Sequence, residues 1–359
     1  MKKSGERKIL RYKPDLDRAK KYWDAFWNHE IIDRPCVFVT APKNENGPKE
    51  KPPYMAGFDG EYEKALRVFD EWTASTYFGG EAIPYFDISF GPDQFSAFLG
   101  AELKMAEDKT TSWAIPFVTD WKTVNIQLKE DNSAWVRMLE YIHFATRFSE
   151  GKFLIGMLDL HSNMDCLSAI RGPEALCIDI IDYTDEVERV LKEVRSMYMP
   201  IYEGIYEAGD MSRRGTIGWA PFYCEGKFAT IECDFICVIS PREARRFVIP
   251  AISEEASYLD HSVYHYDGTD ALVHLDDILS IPKIDVIQWV PGEGKPPMIE
   301  WMDLLKKIQK TKKGLQISCS VEEVKKFHKE LRPEGILYCV EASSRQEADN
   351  LISWLKKNT

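Results

Sequence analysis

The stretch GLQISCSVEEVKKFHKELRPEGILYCVEASSRQE (314–347) contains the pattern that decides the fold. It holds two short apolar runs, 314–319 and 335–341, and each run leads into a Ser-x-x-Glu sequence, at 320–323 and 344–347. Ser-x-x-Glu is typical of a capping box, in which both side chains satisfy free backbone N–H groups at the start of a helix. The stretch therefore predicts the order strand, helix, strand, helix, which builds a parallel sheet.

The same alternation extends over most of the chain. We predict eight strands, at 36–40, 83–89, 153–159, 216–220, 263–267, 284–290, 314–319 and 335–341. Amphipathic stretches separate these runs, and Ser-Pro-Arg-Glu at 240–243 gives a further helix start with proline at the first helical position. Eight units of this kind favour a (β/α)8 TIM barrel over an open doubly wound sheet. We therefore predict an α/β fold with one barrel domain over residues 1–359.

Two segments lie outside the repeating units. Residues 1–30 are predicted to form an N-terminal helical extension, because apolar residues within 15–29 recur at helical spacing. The long separation between the second and third predicted strands indicates an insertion at 90–150, which would form part of a lid or a helical side wall.

The composition excludes several functional classes. Acidic residues number 58 against 46 basic residues, and the resulting net charge of −12 is unfavourable for binding nucleic acid or an anionic membrane. No apolar run approaches the roughly 18 residues that span a bilayer. The N-terminal MKKSGERKILRYK lacks the apolar core of a signal peptide, so a cytoplasmic location is expected. The eight cysteines contain no CxxC pair, which argues against a disulfide framework.

Polar residues recur at the carboxyl ends of the predicted strands, where barrels of this class hold their functional groups. They include Asp87, Asp159, His161, Trp219, His265, Asp267, Trp289, Cys319 and Cys339. His265 and Asp267 point to the same face of a strand, so they can supply two metal ligands or a general acid–base pair. A third ligand would come from Cys339, or from Cys319 instead. Alternatively, both cysteines are small buried hydrophobic residues, and Asp159 only caps the following helix.

Five longer stretches carry a family resemblance: DRPCVFVTAP (33–42), PYFDISFGPDQFSAFLGAEL (84–103), DLHSNMDCLSAIRGPEAL (159–176), CDFICVISP (233–241) and YHYDGTDALVHLDDILSIPKIDVIQWVPGEGKP (264–296). With them the chain resembles the uroporphyrinogen decarboxylase superfamily, which also includes zinc-dependent methylcobamide:thiol methyltransferases. The resemblance covers roughly the whole chain after residue 30. It implies a (β/α)8 barrel with a deep cleft at the carboxyl ends of the strands.

The resemblance allows decarboxylase activity as one possible function. In that branch an aspartate on the second strand acts on the substrate pyrroles, and Asp87 matches its position. The basic segment that holds the substrate carboxylates has no counterpart, since TAPK stands at 40–43. An acidic chain without this segment is a poor host for a polycarboxylate. The alternatives are a metal-free decarboxylase or lyase that uses Asp87 on a smaller acid, or a catalytically silent tetrapyrrole-binding barrel.

In the methyltransferase branch, zinc is held by a His-x-Cys pair and a distant cysteine. His265 and Asp267 fall at this pair, with aspartate in place of cysteine, and Cys339 matches the distant thiol. The resemblance thus implies a zinc ion at these three residues, or no metal. It favours methyl transfer between a small methylated substrate or thiol and a corrinoid. A partner protein would carry the corrinoid, because the chain lacks an Asp-x-His-x-x-Gly cobalamin-binding motif.

The substrate pocket of such an enzyme would be lined by aromatic and polar residues near the strand ends. Ten tryptophans and sixteen tyrosines exceed what most cores need, and they suggest a large aromatic-lined cavity. The residues predicted to bind substrate are Tyr85, Asp159, His161, Trp219, Tyr223, Asp234, Tyr266 and Trp289. A homodimer is compatible with this interpretation.

Overall fold

A computed structural model describes residues 10–44, 47 and 49–359. The strands of this part are β1 Cys36–Pro42, β2 Thr76–Gly80, β3 Tyr85–Phe86, β4 Glu102–Met105, β5 Ser112–Ile115, β6 Leu154–Ile155, β7 Thr216–Ile217, β8 Tyr223–Cys224, β9 Phe228–Ile231, β10 His261–Asp267, β11 Val286–Val290, β12 Gly314–Ser318 and β13 Ile336–Glu341. The α-helices are α1 Leu16–Trp27, α2 Tyr62–Ser75, α3 Gln94–Phe98, α4 Ser133–Phe148, α5 Asn163–Arg171, α6 Pro173–Asp182, α7 Thr184–Ala208, α8 Met211–Arg214, α9 Pro241–Glu243, α10 Ile249–Tyr258, α11 Leu275–Leu279, α12 Met302–Lys310, α13 Val321–Glu330 and α14 Arg345–Asn358.

The helix starts of the C-terminal region follow their local sequence. The Ser320 hydroxyl accepts a hydrogen bond from the Glu323 backbone, and the Glu323 carboxylate accepts one from the Ser320 backbone. The Ser344 hydroxyl likewise accepts from the Glu347 backbone at the start of α14. The two predicted helix starts are therefore confirmed, and α13 connects the parallel strands β12 and β13.

Seven strands form the main sheet, in the order β2-β1-β13-β12-β11-β10-β9. All neighbours are parallel except β1 and β2. β3 and β6 form a separate parallel pair, and a single bridge joins Met157 to Gly218. Among the described residues the hydrogen-bonded ladder does not close into a ring. The structure therefore shows an α/β fold with a mostly parallel sheet.

One predicted strand needs correction. Residues 216–217 belong to a short antiparallel hairpin, β7–β8, and the parallel neighbour of β10 is β9. The run at 216–220 ends before Pro221, which has no N–H for a ladder, and the Phe222 amide donates to the Ala220 carbonyl in a turn. β9 was not predicted, because its run of four residues is short and leads directly into a polar segment.

The two faces of the sheet bury different apolar clusters. Outward-facing residues such as Val37 and Ile287 pack against the helices. Their chain neighbours Cys36 and Val286 point the other way, into a second cluster that also receives Trp23 of α1. This inner cluster takes residues from 10–26 and 220–224 and from positions 36, 83, 154, 217, 228, 263, 286 and 337. Apolar side chains therefore fill the amino-terminal end of the inner face.

The segments outside the repeating units are also folded. The predicted N-terminal extension contains α1, and its first nine residues lie outside the described part of the chain. The predicted insertion at 90–150 contains α3, the antiparallel pair β4–β5 and α4. No helix among the described residues is long and apolar enough to cross a membrane.

A buried ion pair holds β1 to the segment after β2. Arg34 donates through both terminal nitrogens to the two carboxylate oxygens of Glu81, at 2.6 and 2.8 Å, and neither side chain is exposed. The same carboxylate accepts the backbone N–H of Val37 at 3.0 Å, and the Arg34 guanidinium lies 4.4 Å from the Tyr22 ring centre.

We predict that Arg34→Met lowers the free energy of unfolding by about 3–5 kcal/mol, because it leaves the Glu81 carboxylate buried without its partner. Denaturant-induced unfolding measures this loss. The control is Arg67→Met, which removes an exposed i,i+4 pair with Glu63 and should cost less than about 1 kcal/mol. Equal losses in the two variants would contradict the prediction.

Candidate active site

Inward-facing side chains become polar toward the carboxyl end of each strand. On β10, Val263 belongs to the inner apolar cluster, and the next two inward residues are His265 and Asp267. On β13, Leu337 is followed on the same face by Cys339 and then by Glu341. The carboxyl edge of the sheet is therefore where titratable groups gather, as predicted for this class of fold.

The central group at this edge is His161 between carboxylates. Its Nε2 lies 3.3 Å from Asp159 Oδ2 and 3.3 Å from Glu232 Oε1. The side chains of His161, Asp159 and Glu232 are 14%, 17% and 3% exposed. Asp165 Oδ2 lies 3.9 Å from the other ring nitrogen, Nδ1. Both edges of the imidazole thus face acidic groups from the ends of β6 and β9 and from α5.

Burial and the charges on neighbouring side chains shift the pKa values of His161, Asp159 and Glu232 in different directions. Burial alone lowers the pKa of His161, but the carboxylates of Glu232 and Asp159 raise it well above its usual value. Burial raises the pKa of Asp159, and the charge and hydrogen bond of His161 more than offset this and lower it to about 2. Burial and the nearby Asp159 charge raise the pKa of Glu232 well above its usual value. His161 therefore holds its proton more strongly than a free imidazole does, and Glu232 holds a proton more strongly than Asp159 does.

Asp87 faces the same space from the end of β3. Burial and the Asp159 charge raise its pKa to about 7, and Lys51 opposes the shift. A Cβ atom on Gly156 would lie 3.4 Å from Asp87 Oδ1 and 3.2 Å from the Tyr85 ring, so the glycine leaves room here. Burial, together with the nearby charges of Asp159, Asp87 and Glu232, raises the pKa of the Tyr54 phenol to about 12.

A second layer fixes the loop that carries His161. Asp165 accepts hydrogen bonds from the backbone N–H groups of Asp234 and Phe235, at 2.9 and 2.8 Å. Buried Glu255 accepts from the Ser162 hydroxyl at 2.5 Å. Asn163 adopts a positive φ of 46° and donates to the Glu232 carbonyl at 3.2 Å. The loop after β6 is therefore tied to both β9 and α10.

The structure does not bring the predicted zinc ligands together. His265 Nδ1 lies 2.7 Å from Gln288 Oε1, and Gln316 Nε2 donates to Cys339 Sγ at 3.4 Å. Gln288 and Gln316 are register partners on β11 and β12, which stand between the strands of His265 and Cys339. Burial raises the pKa of Cys339 to about 12, so it is a neutral thiol.

Within the described residues, a different set meets the geometry of a metal site. The ligand atoms of Asp159, His161 and Glu232 all lie within 4.8 Å of one another. His265, Asp267 and Cys339 do not form such a group, and neither does the alternative set with Cys319. The metal candidates from the sequence are corrected accordingly. Glu232 and Tyr54 were absent from the predicted site residues, and the position of Glu232 directly after an apolar run was the signal available for it.

The other predicted substrate-binding residues divide between the two faces. Tyr85 donates its hydroxyl proton to the Trp219 carbonyl at 2.9 Å, and the Trp219 ring stands 5.0 Å from that of His265. Tyr223 is buried in the inner apolar cluster beside α1. Tyr266 alternates with His265 along β10, so it is buried on the outer face.

The remaining residues lie at the rim and in two cavities. Asp234 is exposed, and its backbone rather than its side chain is held by Asp165. Cys319 and Cys339 line a cavity of about 440 Å³, and Trp289 lines a neighbouring cavity of about 450 Å³. Gln316 and Ser318 line both. The edge therefore offers space for a small molecule next to its polar side chains.

Comparison with known proteins shows the fold and no closer relationship. No protein-family model matches the chain, and no curated protein matches it. A solved structure of a methyltransferase from Methanosarcina mazei is similar, with a TM-score of 0.61 over 94% of this chain and 98% of that chain. The two sequences are 14% identical over this match, so the similarity concerns the fold.

Glu255 is expected to make stability fall as the pH rises. Burial raises its pKa in the folded protein from the usual 4.5 to about 8, so the folded chain keeps a proton that the unfolded chain releases. Stability from this group is complete below pH 4.5 and is lost as the pH approaches 8. Between pH 5 and 8, wild-type protein should lose about 2–4 kcal/mol more unfolding free energy than Glu255→Gln, at about 1.4 kcal/mol per pKa unit.

Denaturant unfolding across this pH range measures the difference. Glu254→Gln is the matched control, because the neighbouring Glu254 is 55% exposed and pairs with Arg195 at the surface. The unfolding free energy of Glu254→Gln should change with pH in parallel with that of the wild type. A Glu255→Gln curve that also runs parallel to wild type would show that Glu255 is ionised in the folded protein.

Proposed function

We propose that the protein is a corrinoid-dependent methyltransferase, which moves a methyl group between a small methylated substrate or thiol and a corrinoid carried by a partner protein. The observation that carries this proposal is the meeting of Asp87 with the Asp159–His161–Glu232 group at the carboxyl edge of the sheet. The similarity in fold to a methyltransferase supports it at the level of architecture. The inner apolar cluster, which joins β1, β6, β9, β10, β11 and β13, supports a (β/α)8 barrel, and the sequence resemblance points to the uroporphyrinogen decarboxylase superfamily.

In the demethylation direction, the bond between the methyl carbon and a substrate heteroatom breaks. The corrinoid, which is a substrate of the reaction, enters in its Co(I) form and supplies the electron pair of the new bond to the methyl carbon, while the electron pair of the broken bond stays on the heteroatom. Transfer is easier when a neighbouring acid protonates that heteroatom. Asp87 can supply this proton, because its pKa of about 7 keeps much of the carboxyl protonated near neutral pH. In the reverse direction the same carboxylate would take the proton of a thiol.

The Asp159–His161–Glu232 group would hold the reacting heteroatom beside Asp87. Asp159 Oδ1 and Glu232 Oε1 are buried, and apart from the 3.3 Å contact of Glu232 Oε1 with His161 Nε2 neither has a hydrogen-bond partner within the described residues. Buried polar atoms without partners are unfavourable by about 1–3 kcal/mol each, so a ligand that contacts them is stabilised. These two oxygens therefore offer binding positions at the point where the heteroatom must lie.

The charge of the edge disfavours the substrate of the namesake decarboxylase. Asp159 is negatively charged, and Lys51 is the lysine whose charge opposes the raised pKa of Asp87. A porphyrinogen with many carboxylates would bring further negative charge into this acidic space. This electrostatic cost supports methyl transfer on a neutral or cationic small molecule.

A zinc ion at His265, Asp267 and Cys339, which the family resemblance implies, does not fit the structure. Among the described residues, these three side chains do not form a group whose ligand atoms lie within 4.8 Å of one another. No step of the proposed reaction uses an ion at these residues.

A second candidate function is decarboxylation of a smaller acid without a metal. It is favoured by Asp87 alone, since a largely protonated carboxyl in a buried position can donate a proton to the carbon that loses carbon dioxide. In this reaction the carbon–carboxylate bond breaks, carbon dioxide leaves, and the electron pair on carbon takes the proton of Asp87.

Methyl transfer is tested with free cob(I)alamin as the methyl acceptor. Purified protein is mixed with it and with a panel of methanol, methylamines and methylated thiols, and the absorbance of methylcobalamin is followed. We expect formation with at least one donor, and we expect Asp87→Asn to slow it about 10²–10⁴-fold. The matched control is Asp131→Asn at an exposed position, which should keep the wild-type rate.

The outcome that would contradict methyl transfer is specific. It is the absence of methylcobalamin with every donor, together with release of carbon dioxide from a carboxylic acid that Asp87→Asn abolishes. That result would establish the second candidate function instead.

A further inference from the structure

We propose that Asp159, His161 and Glu232 bind one divalent first-row transition-metal ion, and that the thiols matched to the family's zinc site take no part in binding it. The proposal builds on the proposed function only in placing the ion where the reaction occurs. Its basis is the geometry and burial of the three side chains, which belong to the ends of two strands separated by about 70 residues in sequence.

The distances suit a common ion. His161 Nε2 is 3.3 Å from a carboxylate oxygen of Asp159 and 3.3 Å from one of Glu232. Two ligands that each lie about 2.0–2.2 Å from one metal ion are about 3.0–3.4 Å apart in tetrahedral or octahedral geometry. The histidine therefore already has the spacing to each carboxylate that coordination requires.

The burial of free oxygen atoms supports a ligand in this place. The Glu232 side chain is 3% exposed, and apart from the 3.3 Å contact with His161 Nε2 its Oε1 atom has no hydrogen-bond partner among the described residues. Asp159 Oδ1 is also buried, and it has no hydrogen-bond partner among the described residues. Buried carboxyl oxygens are stable when they are paired or coordinate a metal. A cation between the two carboxyl groups would coordinate both oxygen atoms.

Neighbouring side chains fix the orientation of the three ligands, as they do in metal sites of proteins. Asp165 lies on the Nδ1 side of His161, at 3.9 Å, and is itself held by two backbone N–H groups. A carboxylate behind a ligating histidine orients the ring and leaves the other nitrogen for the ion. Asn163 joins the loop of His161 to the Glu232 carbonyl at 3.2 Å, so the two strand ends keep their relative positions.

The donor set selects the class of ion. One imidazole and two carboxylates suit Zn²⁺, Mn²⁺, Fe²⁺ or Co²⁺, whereas Ca²⁺ needs six to eight oxygen ligands and Cu(I) prefers sulfur. Three protein ligands also leave a coordination position open. A substrate heteroatom could bind at that position.

Metal titration of the chelator-treated full-length protein tests the proposal. We expect Zn²⁺ to bind with one ion per chain by calorimetry, and both His161→Gln and Glu232→Gln to weaken binding at least about 100-fold. The matched control is the double variant His265→Gln/Cys339→Ser, which removes the family's expected ligands and should bind Zn²⁺ as the wild type does. Circular dichroism of each variant confirms that it is folded.

A second measurement needs no variant. Co²⁺ bound by sulfur shows an intense near-ultraviolet thiolate-to-metal band, and Co²⁺ bound by nitrogen and oxygen lacks it. We expect no such band in the wild-type protein. The band, loss of binding in the double variant, or no binding of any of the four ions would each overturn the proposal. These measurements report binding alone, so their failure is distinguishable from failure of the methyl-transfer assay.

Discussion

The ion pair of Arg34 and Glu81 fixes the end of the ladder between β1 and β2. The Glu81 carboxylate accepts the Val37 amide of β1, and the Glu81 amide donates to the Val37 carbonyl. A buried side chain thus extends the backbone pairing of β2 with β1 beyond the last residue of β2. The chain then continues directly into β3, so the position of Asp87 relative to the main sheet depends on this buried pair.

The alternation of side chains along each strand explains why the polar groups meet at one edge. Because every second residue points inward, the change from apolar to polar residues along β9, β10 and β13 divides the inner face into two zones. The apolar zone is sealed by α1, and the acidic zone is open. Burial in the acidic zone then separates the proton affinities of Asp87, Asp159 and Glu232, which would be alike in water.

Local signals predicted more of the fold than of the site. The capping sequences at Ser320 and Ser344 depend on neighbouring residues alone, and they identified helix starts correctly. The cluster of His161 with Glu232 depends on which strand ends are adjacent, and a run as short as β9 gives little periodic signal for that. The predicted zinc set failed for a related reason. Gln288 on β11 and Gln316 on β12 lie between His265 and Cys339 in the sheet. A match to a sequence motif gives no information about which strands separate its residues.

The uneven lengths of the strand pairs have a consequence for motion. The β10–β11 ladder joins five residue pairs, whereas β3 and β6 share two and the next contact is the single bridge of Met157 with Gly218. Opening a short ladder exposes few backbone hydrogen bonds, so it costs less free energy than opening a long one. The β3–β6 pair should thus open more easily than the β10–β11 pair, and its amide hydrogen exchange should be the faster of the two.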